Sequence, residues 1–353
     1  MHKVILVSHN QFGYQISHLK YAEELRSHFT IEYVCLDYGK PRLKTDLVEV
    51  SYIRQFGNKF LKLLYFSFQV SRVLKHSQAK VCLIKYYPFC SIVPLFSRNK
   101  CIVDVRTGSV NKNNLLNLIS DLFLKFEISI FDTQTILSDS LKKRLKLKNA
   151  RVLPLVTDFK ELNIQFDHSL NLIYVGSLHN RNIVKTIDGL AIFLNENPSC
   201  RLEYKIIGKG KLSDEKEIAE SIKKHCLGDK VKVFGYIKNS ELKPYLEKSN
   251  VGISFIPITK YYNYQPATKT YEYLASGIPV IATRTFENQK VINDTNGAVI
   301  DDNPESFSQG LMKIWTNMSK YNSHSISQSV KQYSYNNMVH SMLIPEIENL
   351  LKK

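Results

Sequence analysis

The 353-residue chain contains one tryptophan, 14 glycines and 11 prolines. Glycine and proline this sparse, with no biased tract, exclude a low-complexity or collagen-like chain, and no period announces a solenoid or propeller. Long apolar runs are absent as well. The opening run Val4–Val7 is stopped by His9 and Asn10, short of a signal-peptide core, and nothing approaches the roughly 20 apolar residues that cross a bilayer. Neither secretion nor membrane spanning is expected. The six cysteines, Cys35, Cys82, Cys90, Cys101, Cys200 and Cys226, lack metal-type or redox-type pair spacing. Reduced, mostly buried thiols in a cytoplasmic protein explain them.

An apolar content of 44% over this length supports two ordinary domains, each with its own core. The net charge of +16 is uneven: residues 1–168 hold 25 Lys and Arg against 14 Asp and Glu, and residues 169–353 hold 23 against 18. Residues 51–100 carry nine basic side chains and no acidic one. Such an excess suits lipid headgroups, phosphate or nucleic acid, or is a solvated basic face.

Short β-rich runs alternate with helical periods from the start. Lys3–Ser8 reads as a buried strand, a polar loop runs through Gly13, and Ile16–Phe29 has helical spacing in Leu19, Ala22 and Leu25. Strands follow at Ile31–Leu36, Val81–Ile84, Cys101–Val105, Ile136–Ser138 and Val152–Leu155. The rhythm restarts at Leu172–Val175 after a polar stretch from Pro154 to Leu170, with strands near Tyr204–Ile207, Lys230–Phe234, Val251–Phe255 and Pro279–Ala282. Helices are centred near residues 190, 219, 243, 271 and 312. This βαβ alternation predicts two doubly wound parallel sheets. The expected domains are 1–168 and 169–330, with a terminal helix in 331–353.

Open α/β sheets bind ligands at the ends of their strands, and four landmarks of the second half fall there. The strand ending at Tyr174-Val175 runs into Gly176, Ser177 and Arg181; glycine lets backbone approach a phosphate that arginine can neutralise, or is a plain turn. Ile207-Gly208-Lys209-Gly210 and Phe234-Gly235-Tyr236-Ile237 are further strand-to-loop joints. The richest stretch runs from Tyr264 to Ala282. Pro266, Ala267 and Thr268 can open a helix whose free N–H groups bind an anion, and Glu272 lies one turn after Thr268. A carboxylate beside an anion site can accept hydrogen bonds from paired sugar hydroxyls, or can simply be a surface residue.

In this order the four landmarks resemble the GT-B family of retaining glycosyltransferases, the family-4 type of polysaccharide, lipopolysaccharide and glycolipid assembly. The likeness is strongest from Leu172 to about Ile300. It covers the first half more loosely, through the Gly13 loop, Val103–Ser109 and Ile136–Ser140. The resemblance implies two Rossmann-like domains facing across a cleft, with a nucleotide-sugar donor on the second. Backbone around Tyr236 and Ile237 would hold the base, Glu272 the ribose hydroxyls, and the Ala267–Lys269 amides the diphosphate or donor sugar. Tyr264 stands where the family has the first glutamate of a pair, Ser177 where many members have arginine, and Asn182 where a lysine is familiar. The terminal helix would cross back to the first domain.

No D-x-D pair for a metal-bound diphosphate occurs, so no metal or cofactor is expected, and fixed positive groups such as Lys269 would stabilise the leaving diphosphate. Retention, with the departing phosphate assisting the incoming hydroxyl, is implied by the resemblance alone. The acceptor, a glycan or a lipid-linked molecule, is assigned to the basic first domain, with His9 and Arg106 placed at its side of the cleft. Residues 58–76 read as a helix with Lys59, Lys62, Arg72 and Lys75 among Phe60, Leu63, Phe66 and Leu74. It either lies on an anionic membrane or covers its own sheet. A nucleic-acid or polyanion-binding protein is permitted by charge, though residues 51–100 resemble no nucleic-acid motif. An epimerase or an inactive member would share the frame.

Overall fold

Alternation in the first strand builds two layers at once. In β1 (Lys3–Ser8), Val4 and Leu6 point to one core while Ile5 and Val7 point to the other, all fully buried. A computed structural model describes residues 1–43, 45–46, 48–109 and 114–352. It divides into two units, Met1–Val156 with Tyr335–Lys353, and Thr157–Ser334.

The first unit carries β1, β2 (Thr30–Asp37), β3 (Glu49–Arg54), β4 (Val81–Lys85), β5 (Lys100–Val105), β6 (Thr133–Ile136) and β7 (Arg151–Val152). Their order is β3-β2-β1-β4-β5-β6-β7, every pairing parallel. One layer is filled by Phe66, Val70 and Leu74 of the helix Lys59–His76 and by Leu124 and Ile128 of the helix Asn114–Ile128. The other is filled by Tyr21 and Leu25 and, from the chain's far end, by Tyr335, Val339 and Ile347. A terminal segment thus supplies a layer that residues 1–156 leave open.

The second unit carries β8 (Leu170–Val175), β9 (Leu202–Ile207), β10 (Val231–Gly235), β11 (Val251–Ser254), β12 (Val280–Thr283) and β13 (Gly297–Ile300), in the order β10-β9-β8-β11-β12-β13, again all parallel. The division falls at 156/157 rather than 168/169, for a definite reason. The stretch after Val156 is bonded along the second unit, through Thr157 N to Tyr333 O (3.0 Å), Leu162 N to Ser276 O (3.2 Å) and Ile164 N to Ser323 Oγ (3.4 Å). The edge strands β3 and β13 escaped the sequence reading. The first is half-exposed and the second is four residues long, so neither gives a strong apolar run.

The helix Lys59–His76 begins where Asn58 Oδ1 accepts from the amides of Phe60 and Leu61, both at 3.1 Å. Its stripe of Phe66, Val70 and Leu74 covers the sheet, so of the two readings of residues 58–76 the stripe follows the ordinary one. Phe60, Leu61 and Phe68 stay exposed. Among the described residues no helix is long and apolar enough to cross a membrane. Five cysteines are buried and Cys226 is exposed, all with free thiols. Phe66→Ala should cost about 3–5 kcal/mol, whereas Phe60→Ala should stay within about 0.5 kcal/mol. Urea denaturation checks both, and equal effects would show that the helix is not seated this way.

Candidate functional site

Both sheets reverse their strand order at one place, between β1 and β4 in the first unit and between β8 and β11 in the second. At such a switch point the flanking loops leave in opposite directions and open a crevice at the strands' carboxyl ends. Gly176 follows β8 there. Its amide bonds the carbonyl of Ile207 (2.9 Å), and the amide of Gly208 bonds the carbonyl of Gly235 (2.7 Å), so three strand ends are stitched side by side. Gly208 sits at φ 152°, and a Cβ on it would collide with the Gly176 carbonyl oxygen. Only glycine lets these two loops touch.

Across β11, the helix Thr268–Ala275 aims its N-terminus at the same place. Thr270 Oγ1 shares a hydrogen bond with Ser254 Oγ (2.7 Å) and donates to Asn288 Oδ1 (3.0 Å), which anchors the helix to the end of β11. Tyr273 fills the space left by Gly252 of β11, and its hydroxyl accepts from the Val175 amide (2.8 Å). Ala267 precedes the helix in extended conformation, and no side chain caps the first turn. Its leading amides and the positive end of the helix dipole are thereby left for an anion.

Lys269 lies in that first turn. Its Nζ is buried, has no hydrogen-bond partner, and stands 3.6 Å from the centroid of the Tyr174 ring. A Cβ on Gly176 would come within 3.0 Å of it. Burial pushes the Lys269 pKa well below its ordinary value, the Arg181 charge lowers it further, and Glu272 opposes both. Arg181 stacks over the Tyr262 ring at 4.5 Å and donates to the Tyr262 hydroxyl. Glu272 is solvent-exposed, yet enough protein surrounds it to raise its pKa, against the pull of Lys269. Thr268 is exposed and Ala267 half-buried. Ser177 is exposed, its Oγ accepting from the His179 amide (3.2 Å) while its carbonyl accepts from the Tyr174 hydroxyl (2.6 Å). Beyond Gly235, at φ 69°, Tyr236 is 67% exposed and Ile237 half-buried.

In the first unit the switch point holds His9 after β1, with Gly13 (φ 85°) turning the same loop, and Lys85 at the end of β4. His9 Nδ1 is buried without a partner. Burial, then the charge of Lys85, lowers the His9 pKa to about 4. Arg106 departs from expectation. It binds Asp104 Oδ2 through Nε (2.6 Å), the carbonyls of Leu153 (3.1 Å) and Pro154 (3.2 Å), and the Tyr21 hydroxyl. A buried carboxylate needs a buried cation. Arg106 therefore ties together the β5 and β7 ends.

Residues 169–317 match the family model described as Glycosyl transferases group 1. Residues 169–317 thus form a group 1 glycosyl transferase domain, and the chain has the GT-B fold of the solved structures it superposes on. Sucrose-phosphate synthase from Thermosynechococcus elongatus superposes with a TM-score of 0.75 at 14% identity, covering 100% of both chains. The lipopolysaccharide outer core galactosyltransferase WaaB gives 0.71 at 13% identity, over 98% of this chain and 100% of that one. Anabaena HepE in complex with UDP gives 0.72 at 10%, over 99% and 100%. No curated protein sequence matches the chain.

The second switch point gathers Gly176, Gly208, Lys269 and Arg181, with Glu272 one turn along the helix from Thr268. Sequence reading missed Tyr174 and Tyr262, the rings under the two cations. Tyr262 lies 81 residues from Arg181, and no spacing rule connects them. The buried ammonium generates a prediction. An unfolded chain keeps Lys269 protonated up to its ordinary pKa, while the folded chain resists the charge, so Lys269 costs stability at pH 7 and less as pH rises. Lys269→Met should stabilise the ligand-free protein by about 1–3 kcal/mol at neutral pH. The gain should shrink toward pH 10, as read by thermal unfolding across pH.

Proposed function

We propose that this protein is a glycosyltransferase that moves a sugar from a nucleoside diphosphate-sugar to a glycan or lipid-linked acceptor, with retention and without a metal. The observation that carries the donor class is the unpartnered Lys269 ammonium at an uncapped helix N-terminus, flanked by Arg181. A diphosphate is the ligand that satisfies such a group. It brings two adjoining anions, one for the amides of Ala267–Lys269 and one for the ammonium, and its approach favours the lysine's charged form against burial. Glu272 then accepts from the ribose hydroxyls, and Tyr236 and Ile237 border the base. HepE, which shares the fold, was solved with UDP, so uridine diphosphate-sugars are the first donors to try.

In the transition state the glycosidic bond to the diphosphate lengthens and charge grows on the leaving phosphate. Lys269, Arg181 and the helix amides, already fixed in place, meet that charge without reorganising. Retention follows if the departing phosphate takes the proton of an acceptor hydroxyl arriving on the same face, and no protein nucleophile is then required. His9, neutral at pH 7 with its pKa near 4, offers the acceptor an uncharged hydrogen-bonding group. A reducing cytoplasm suits the free thiols, and the cations of residues 58–76 suit an anionic membrane surface.

Thermal-shift screening against UDP-, GDP-, ADP- and CMP-sugars tests the donor class, since ligand at 100 times its Kd stabilises by about 2.7 kcal/mol. Glu272→Ala should weaken binding of the responding donor by about 1.5–3 kcal/mol for each charge-assisted hydrogen bond lost. Calorimetric affinity unchanged in folded Glu272→Ala would assign the carboxylate to structure. Lys269→Ala should lower kcat more than it weakens donor binding. Equal losses would mean that the lysine holds the ground state only.

A further inference from the structure

The helix Asn114–Ile128 is mounted with its apolar side outward. Leu116, Leu118, Ile119, Leu122 and Phe126 fall within one face and are each more than half exposed, Phe126 at 67%. Leu124 and Ile128, on the opposite side, enter the core. A surface helix ordinarily does the reverse. Both of its carboxylates are directed away from that face. Asp121 pairs with Arg144 (3.3 Å), and Glu127 is buried, accepting from the Tyr86 hydroxyl (3.0 Å) and Ser91 Oγ (2.9 Å). Leu115, 62% exposed, falls on the same face, which therefore holds six large apolar side chains and no acid.

Neighbouring elements extend it. Phe123 contacts Phe89 with ring centroids 5.8 Å apart, and the bonds of Glu127 tie the helix to the segment that leads into the helix Ile92–Phe96. There Leu95 and Phe96 are exposed, and the Phe96 ring lies 5.6 Å from that of Phe68 on the helix Lys59–His76. Leu61, Phe68, Arg72 and Lys75 recur at helical spacing along one side of that helix, all exposed. Cations thus adjoin the apolar surface, within the fifty residues that contain no acid.

We infer that this face docks on an anionic lipid bilayer, with the helix Asn114–Ile128 lying in the interface and Arg72 and Lys75 toward the headgroups. Fifteen residues make a helix of about 22 Å, too short for a hydrocarbon core of about 30 Å, so the helix lies in the plane. A second copy is disfavoured by charge. A two-fold contact would set this acid-free basic surface against itself, whereas an anionic bilayer satisfies both the apolar side chains and the cations. The inference goes beyond the transferase reading and stands or falls without a nucleotide sugar.

Sedimentation of the full chain with phosphatidylglycerol-containing and pure phosphatidylcholine vesicles tests it. Binding should require phosphatidylglycerol and fall between 0.1 and 1 M salt, as the Debye length shrinks from about 10 to about 3 Å. Ile119→Ser with Leu122→Ser should lower partitioning about 10- to 100-fold while leaving Tm and circular dichroism unchanged, because both positions face solvent. Arg72→Gln and Lys75→Gln should each cost about fivefold. Phe126→Trp should be quenched by brominated acyl chains. No binding to either vesicle at low salt would overturn the inference, as would binding indifferent to the double serine variant. A dimer in sedimentation velocity that the serine variant dissolves would give the face to a second copy instead.

Discussion

A lysine ammonium held where water does not reach it, over a tyrosine ring and without a counter-ion, organises the second unit. Several unrelated choices keep Lys269 there. Glycine at 176 and 208 brings two loops together beside Nζ, glycine at 252 admits Tyr273 under the same loop, and Thr270 pins the helix to β11 through Ser254. Each contact is ordinary alone. Together they hold a desolvated cation and an open helix terminus at one point, an arrangement that costs folding free energy. Glu272 and Arg181 then tune the same spot with opposite signs.

The first unit handles its polar groups differently. Asp104, Arg106 and Tyr21 neutralise one another inside, with Thr135 donating to Asp104 (2.8 Å). His18 Nε2 stands 3.9 Å from Asp104 Oδ2 in full burial, and that burial lowers its pKa against the pull of Asp104. Carboxylates of the helix Asn114–Ile128 are drawn inward too, and apolar side chains face out. Paired charges inside and apolar surface outside contrast with the second unit, where the Lys269 ammonium is buried without a hydrogen-bond partner. One fold plan, repeated, serves two kinds of surface.

Much of this was legible in the residues. Period-2 and continuous apolar runs located eleven strands because strands buried on both faces must be apolar throughout. The four strand-to-loop landmarks were legible because glycine is required where loops touch and because a parallel sheet binds ligands only at its carboxyl edge. Edge strands β3 and β13 were not, since a half-exposed or very short strand need not advertise itself.

Composition and spacing by themselves determined the doubly wound class, the position of the strand-end loops, the helix start before Thr268 and the excess of positive charge in residues 51–100. They could not decide direction. Arg106 and Lys269 are both cations near strand ends, and only packing turned the first into a network with Asp104 and left the second without a partner. Helical periodicity likewise marks an apolar stripe without saying which way it faces. For Lys59–His76 the stripe met a sheet; for Asn114–Ile128 it met solvent. Orientation is set by what neighbouring elements leave uncovered, and contacts between residues as far apart as Arg181 and Tyr262, or Tyr21 and Tyr335, exist only once the chain has folded.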